Sequence, residues 1–221
     1  MNQDLSLLDR FAQEIKAYFG EEVTPGRSKH SLMLLGALLH DIGKPTTMTV
    51  GDNGRLHFFG HESVGANLAW EAAKKMQLSN AECHWLRKLV KYHLHLLPMI
   101  TQDEQPTRRM IFRFFDKAGD VGVAIALLTL SDTLGTYGNN LSRELWRRNL
   151  TAANAVMSAW WQDKHVIVDP EPLLDGDNLQ SIFGLKPGKR IGKLLSALKE
   201  AQAAGEVNSQ EEAINFIQSR L

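Results

Sequence analysis

An adjacent histidine and aspartate close an apolar segment, Leu38-Leu39-His40-Asp41-Ile42-Gly43-Lys44. Imidazole and carboxylate are both costly in apolar surroundings unless something satisfies them. Successive helical residues diverge by about 100°, so His40 and Asp41 cannot share one narrow face. At a helix C-terminus they can still converge on a metal ion, the carboxylate bridging two ions and the imidazole binding one. Gly43 is read as allowing a sharp exit, and Lys44 supplies a compact charge for a phosphate oxygen.

The chain has eight histidines: His30, His40, His57, His61, His84, His93, His95 and His165. A lone histidine is more often a surface or hydrogen-bonded core residue than a ligand, so context must select among them. His61-Glu62 opens a helical pattern after Phe58-Phe59-Gly60, and His93 lies in Val90-Lys91-Tyr92-His93-Leu94-His95. Asp132 stands in the apolar run Ala124 to Asp132, where by itself it would read as a buried, hydrogen-bonded carboxylate. His40, Asp41, His61, His93 and Asp132 together offer imidazole and carboxylate from four helices. That donor set suits Mg, Mn, Fe, Co, Ni or Zn, as one ion or two. His95 lies two residues from His93 and faces elsewhere on a helix, and His57 lies in the predicted hairpin four residues before His61; neither is read as a ligand.

The elements that must position these groups are read as almost entirely helical. Leu5, Leu7, Leu8, Phe11, Ile15 and Tyr18-Phe19 predict an amphipathic helix over 3–19, and Pro25-Gly26 predicts a loop over 20–28. Residues 29–42 are apolar nearly all round and predict a buried helix, stopped by Gly43 and Pro45. Thr46 to Val50, the turn Asp52-Asn53-Gly54 and Arg55 to Phe59 predict a short β-hairpin. Further helices are predicted over 62–76, 81–96 (capped by Ser79 or Asn80 and closed by Pro98), from Pro106, over 121–137 and over 142–161. Asp169-Pro170-Glu171-Pro172 marks a boundary. Beyond it, helices are predicted over 176–183, 187–204 and 209–219, the last opened by a Ser209–Glu212 capping box.

The string His40-Asp41-Ile42-Gly43-Lys44-Pro45, with Phe58-Phe59-Gly60-His61-Glu62, His93 and Asp132, resembles the HD-domain superfamily of metal-dependent phosphohydrolases. It is closer still to the HD region that follows the nucleotidyltransferase head in bacterial CCA-adding enzymes and poly(A) polymerases. Pro172-Leu173-Leu174-Asp175-Gly176-Asp177, Phe183-Gly184-Leu185-Lys186-Pro187-Gly188-Lys189-Arg190, Ala201-Gln202-Ala203-Ala204-Gly205-Glu206 and Glu211-Glu212-Ala213 are similar to that family's C-terminal segment. The resemblance implies an all-α fold: an HD helical bundle over 1–165 with a short β-hairpin insertion, and a helical tail over 166–221. It implies that His40, Asp41, His61, His93 and Asp132 ligate metal, that Asp41, Lys44 and His61 serve catalysis, and that Lys44 contacts phosphate. The family usually carries one more histidine on the first helix, at a place that falls near Gln3 or before Met1; the helix over 3–19 has none.

The activity implied is hydrolysis of a nucleotide, cyclic nucleotide or RNA-end phosphate ester. The alternative is a non-catalytic RNA- or tRNA-binding module, or a subunit that pairs with a separate head. No Gly-Ser phosphate loop with a paired Asp-x-Asp occurs, so the sequence given is expected not to add nucleotides by itself. Arg109 and Arg113 share a helix face and are candidate phosphate clamps; Lys186, Lys189 and Arg190 at a helix start are candidate RNA contacts. With 25 Lys and Arg against 25 Asp and Glu, no global field draws the chain to nucleic acid or anionic lipid, so such contacts must be local. A single cysteine, Cys83, excludes an internal disulfide. The apolar stretches read as too short to span a bilayer, and no secretory signal pattern opens the sequence, so a cytoplasmic location is expected.

Overall fold

The computed structural model describes residues 6–101 and 105–221. Among the described residues the fold is all-α apart from two small antiparallel hairpins. It divides into two compact units, Met1–Gln105 with Lys117–Met157, and Pro106–Asp116 with Ser158–Leu221.

In the first unit, α1 (Ser6–Asp9) and α2 (Ala12–Gly20) occupy the stretch expected as one helix. The place near Gln3 where the family's extra histidine would align lies outside the described residues. The expected loop that follows is a hairpin, β1 (Glu22–Thr24) against β2 (Arg27–Ser28), turning at Pro25-Gly26. Next come α3 (Lys29–Leu39), α4 (Lys44–Thr47) and the predicted hairpin, β3 (Thr49–Val50) against β4 (Leu56–His57). The unit continues with α5 (His61–Lys75), α6 (Asn80–Tyr92) and α7 (Leu97–Thr101). Pro98 lies in the first turn of α7 rather than merely closing the helix before it.

Ser79 caps α6 through a complete capping box with Glu82. Glu82 is also fully buried and faces Arg27 of β2 at 2.6 Å. Burial alone would push its carboxyl up, but bonds from the Ser79 backbone and hydroxyl, with Thr24 and Arg27, leave it below the usual range. The hairpin at 22–28 is thereby tied to the start of α6.

Helices α3 and α6 approach closely at Gly36, where a Cβ would fall on the Leu89 side chain. Leu39, Ala66, Ala69 and Val90 form a buried cluster joining α3, α5 and α6. Contrary to expectation, α3 is not buried all round, since Leu34 and Leu38 are exposed, Leu38 by 78%.

The remaining helices are α8 (Arg108–Ala118), α9 (Gly122–Tyr137) and α10 (Arg143–Trp161). The run Arg108–Asn140 is long and apolar enough by composition to cross a membrane, longer than the apolar stretches read from the sequence. It is broken at Gly119, whose φ of +58° suits glycine. Within α9, Val123, Ala124, Ile125 and Ala126 are fully buried, as in the core helix of a globular unit.

The second unit contains α11 (Gly176–Phe183), α12 (Lys189–Ala204) and α13 (Gln210–Gln218). Asp175 and Asn178 form a capping box at α11. Ser209 caps α13, but Glu212 reaches back to the Asn208 N–H, one residue before the expected box partner. Leu174, Leu179, Leu198, Ala213 and Ile217 form the centre of its core.

Candidate metal centre

The end of α3 sets the first pair. His40 still has helical backbone angles at the helix C-terminus, and Asp41 follows in the turn before α4. Gly43 has φ −80° and ψ −15°, a conformation open to any residue, so a sharp exit is not why glycine stands there. A Cβ on Gly43 would lie 2.2 Å from the His61 carbonyl oxygen and 2.7 Å from the Gly65 nitrogen. Gly43 and Gly65 let the turn lie directly on the first turn of α5, which brings Asp41 to His61. Gly60, with φ +76°, turns the chain left-handed into α5.

Three imidazoles are held alike. Nδ1 of His40 lies 2.8 Å from the Ala37 carbonyl, that of His61 2.8 Å from Phe58, and that of His93 2.7 Å from Val90. A carbonyl oxygen only accepts, so each Nδ1 donates its proton and each neutral ring presents an Nε2 lone pair. These Nε2 atoms face one another and Asp41. His61 Nε2 lies 3.3 Å from His93 Nε2 and 3.3 Å from Asp41 Oδ1, and His93 Nε2 lies 3.8 Å from the same oxygen. Asp41 Oδ2 faces His40 Nε2 at 3.2 Å and the Lys44 ammonium at 2.5 Å. Asp132 Oδ1 is 3.6 Å from His40 Nε2, beyond hydrogen-bond reach, and its side chain is 51% exposed.

Two lone-pair nitrogens at 3.3 Å repel unless a proton or cation lies near them. His40 Nε2 is buried with no hydrogen-bond partner, although a buried polar atom ordinarily has one. The Asp132 carboxylate nonetheless pushes His40 up. Burial, followed by the neighbouring His40 and His61, pushes His93 down and favours its neutral, ligating form. The donor atoms of Asp41, His61 and His93 lie within 4.8 Å of one another, so one ion could be shared among them. Imidazole with carboxylate fits a divalent transition metal, and the carbonyls behind the rings are the orienting partners such ligands use.

Beside this cluster a cleft of about 520 Å³ is lined by Lys44, Arg55, His57, Phe59, His61 and neighbouring residues. His57 stacks on Phe59 instead of joining the ligands, and His95 packs edge-on to Tyr92.

The predicted cationic patches have a different character. Arg109 is ion-paired with Glu200 at 3.2 Å and Glu206 at 2.6 Å, and Arg113 with Glu200 at 2.7 Å. These carboxylates meet the guanidinium forks that a phosphate clamp would use. They were missed because Glu200 and Glu206 lie about ninety residues away in sequence. Lys189 and Arg190 open α12 after Gly188, and Arg190 donates to the Leu221 carbonyl. Lys186 lies just before that helix.

The HD domain family matches residues 6–118, just over half of the chain. A second family, described as tRNA nucleotidyltransferase domain 2 putative, matches residues 140–217. The A-adding tRNA nucleotidyltransferase of Deinococcus radiodurans is 33% identical over 213 residues, covering 96% of this chain and 46% of that protein. The CC-adding tRNA nucleotidyltransferase of Thermus thermophilus is 33% identical over 187 residues, covering 83% of this chain and 38% of that protein. The chain thus spans less than half the length of these relatives. The imidazole–carboxylate cluster and the match over 6–118 lead to one conclusion: the chain belongs to the HD-domain family.

Proposed function

We propose that the chain is a divalent-metal-dependent phosphohydrolase acting on a nucleotide, a cyclic nucleotide or an RNA-end phosphate ester. The observation that carries this reading is the convergence of three buried or half-buried Nε2 atoms on the Asp41 carboxylate, each with its Nδ1 bound to a carbonyl. On this reading His40, Asp41, His61, His93 and Asp132 hold one or two divalent ions. A bound ion supplies Lewis-acid polarisation of a phosphoryl oxygen and lowers the pKa of a water. The carbonyls of Ala37, Phe58 and Val90 keep the three rings in the ligating tautomer. Lys44, paired with Asp41 and lining the cleft, turns its ammonium to a phosphate oxygen. Asp41 would accept a hydrogen bond from the attacking water and orient it, and His61 stands where the cleft meets the cluster. Elemental analysis of the purified protein should find divalent metal, and Asp41→Ala should lose both the metal and hydrolysis of a nucleotide panel. Undiminished hydrolysis in that variant would sink the proposal.

A second reading is a tRNA-binding module or partner subunit. It is favoured by the tail match over 140–217 and by the tRNA nucleotidyltransferase names of the relatives. Lys186, Lys189 and Arg190 would then meet RNA phosphates, with affinity falling steeply as salt rises. Fluorescence anisotropy with tRNA tests it: binding without hydrolysis under any divalent metal supports the module, and no binding at low salt rejects it.

A further inference from the structure

The cleft beside the metal cluster has an unusual lip. Phe59 is 80% exposed, yet its ring is not loose: it stacks on His57 with centroids 5.1 Å apart and planes within 10°. His57 is confined in turn by the hairpin, since Gly51 approaches so closely that a Cβ would lie 2.9 Å from the His57 Nε2. The outer face of the phenyl ring is therefore a preorganised flat apolar surface. Lys44 and Arg55 line the same cleft, and it reaches the cluster through Lys44, paired with Asp41, and through His61. Its volume of about 520 Å³ falls in the range of small-ligand sites.

Phosphate needs cations, and the metal cluster needs a phosphoryl group, but neither needs an exposed aromatic ledge. A planar heterocycle does, because every nucleobase offers a π-face that stacks on an aromatic ring irrespective of sequence. We propose, resting on the hydrolase reading of the adjoining cluster, that the His57–Phe59 pair is the base-binding ledge of this site. Phe59 stacks the base of a terminal nucleoside phosphate while Lys44 and Arg55 hold its phosphate. Phe59 is then a specificity residue that separates nucleoside phosphates from base-free phosphate esters.

The test is made without metal, so that it does not depend on hydrolysis. The whole chain in excess EDTA is titrated calorimetrically with AMP, with ribose 5-phosphate and with a hexaribonucleotide ending in a 3′-phosphate. AMP is expected to bind about tenfold more tightly than ribose 5-phosphate. That ratio should fall to near unity in Phe59→Ala and return in Phe59→Trp. Both nucleotide probes should show this Phe59 dependence; the tighter of the two identifies the source, free nucleotide or RNA end. Equal affinity for AMP and ribose 5-phosphate, an AMP preference that survives Phe59→Ala, or no binding of any probe overturns the ledge. Base preference without hydrolysis under any metal would overturn the hydrolase reading alone.

Discussion

The cluster of His40, Asp41, His61 and His93 and the cluster of Arg109, Arg113, Glu200 and Glu206 both gather polar side chains from segments far apart in sequence. In the second, each guanidinium meets a carboxylate at 3.2 Å or less, so the charges answer one another within the unit. In the first, the groups that converge are mostly acceptors: Nε2 faces Nε2, and both face a carboxylate. Lys44 supplies one cation to Asp41, but it leaves His40 Nε2 buried without a hydrogen bond. The ion-paired cluster satisfies itself, whereas the histidine cluster gathers donor atoms that one shared cation would satisfy. The sequence offers the first as metal donors and the arginines of the second as a phosphate clamp, and carries no sign of the glutamates that pair with those arginines.

The contrast can be broken in three places. The largest effect is expected from His93→Ala. Loss of outer partners alone costs about 10–100-fold in metal affinity, so loss of this imidazole should cost at least about 100-fold in competition against a chromophoric chelator. Unchanged affinity would place the histidine cluster with the ion pairs, as structure only. Gly43→Ala should come next. Its methyl would strike the backbone of His61 and Gly65, and forcing α5 away should destabilise the chain by about 1–3 kcal/mol while also weakening metal binding. Chemical denaturation and the same chelator assay would check both halves, and a stability loss without a metal effect would show that this contact does not position Asp41. The smallest effect is expected from Glu200→Ala. Arg113 is largely exposed and Arg109 keeps Glu206 as a partner, so the loss should be no more than about 1 kcal/mol and should shrink as salt rises. Metal affinity should not change, and any change there would show that the two clusters are coupled.

Much of the site was legible because the chemistry is costly wherever it is placed. His40-Asp41 at the end of an apolar run, His61 at a helix start and His93 in a later helix all stood out, and the fold brings them together. The capping box of Ser79 and Glu82 was legible for a related reason, since it is made within four consecutive residues. Other features depended on partners distant in the chain. Leu34 and Leu38 made α3 look buried, but apolarity alone does not say whether a neighbour covers each face. Asp132 looked buried in an apolar helix and is half exposed beside His40. The hairpin at 22–28 was hidden because its three-residue and two-residue strands are too short to show a period.

By itself the sequence determined the candidate donor types, the helical patterning and the order in which the donor-bearing segments occur, because these follow from side-chain chemistry and local backbone preference. Only the tertiary structure decided which donors meet. Gly43 and Gly65 do it by letting two backbones touch. The carbonyls three residues back do it by fixing which nitrogen of each ring is free. The glutamates of the second unit decide that Arg109 and Arg113 pair with carboxylates of their own unit. These are contacts between surfaces, and a linear pattern carries no record of which surfaces face each other.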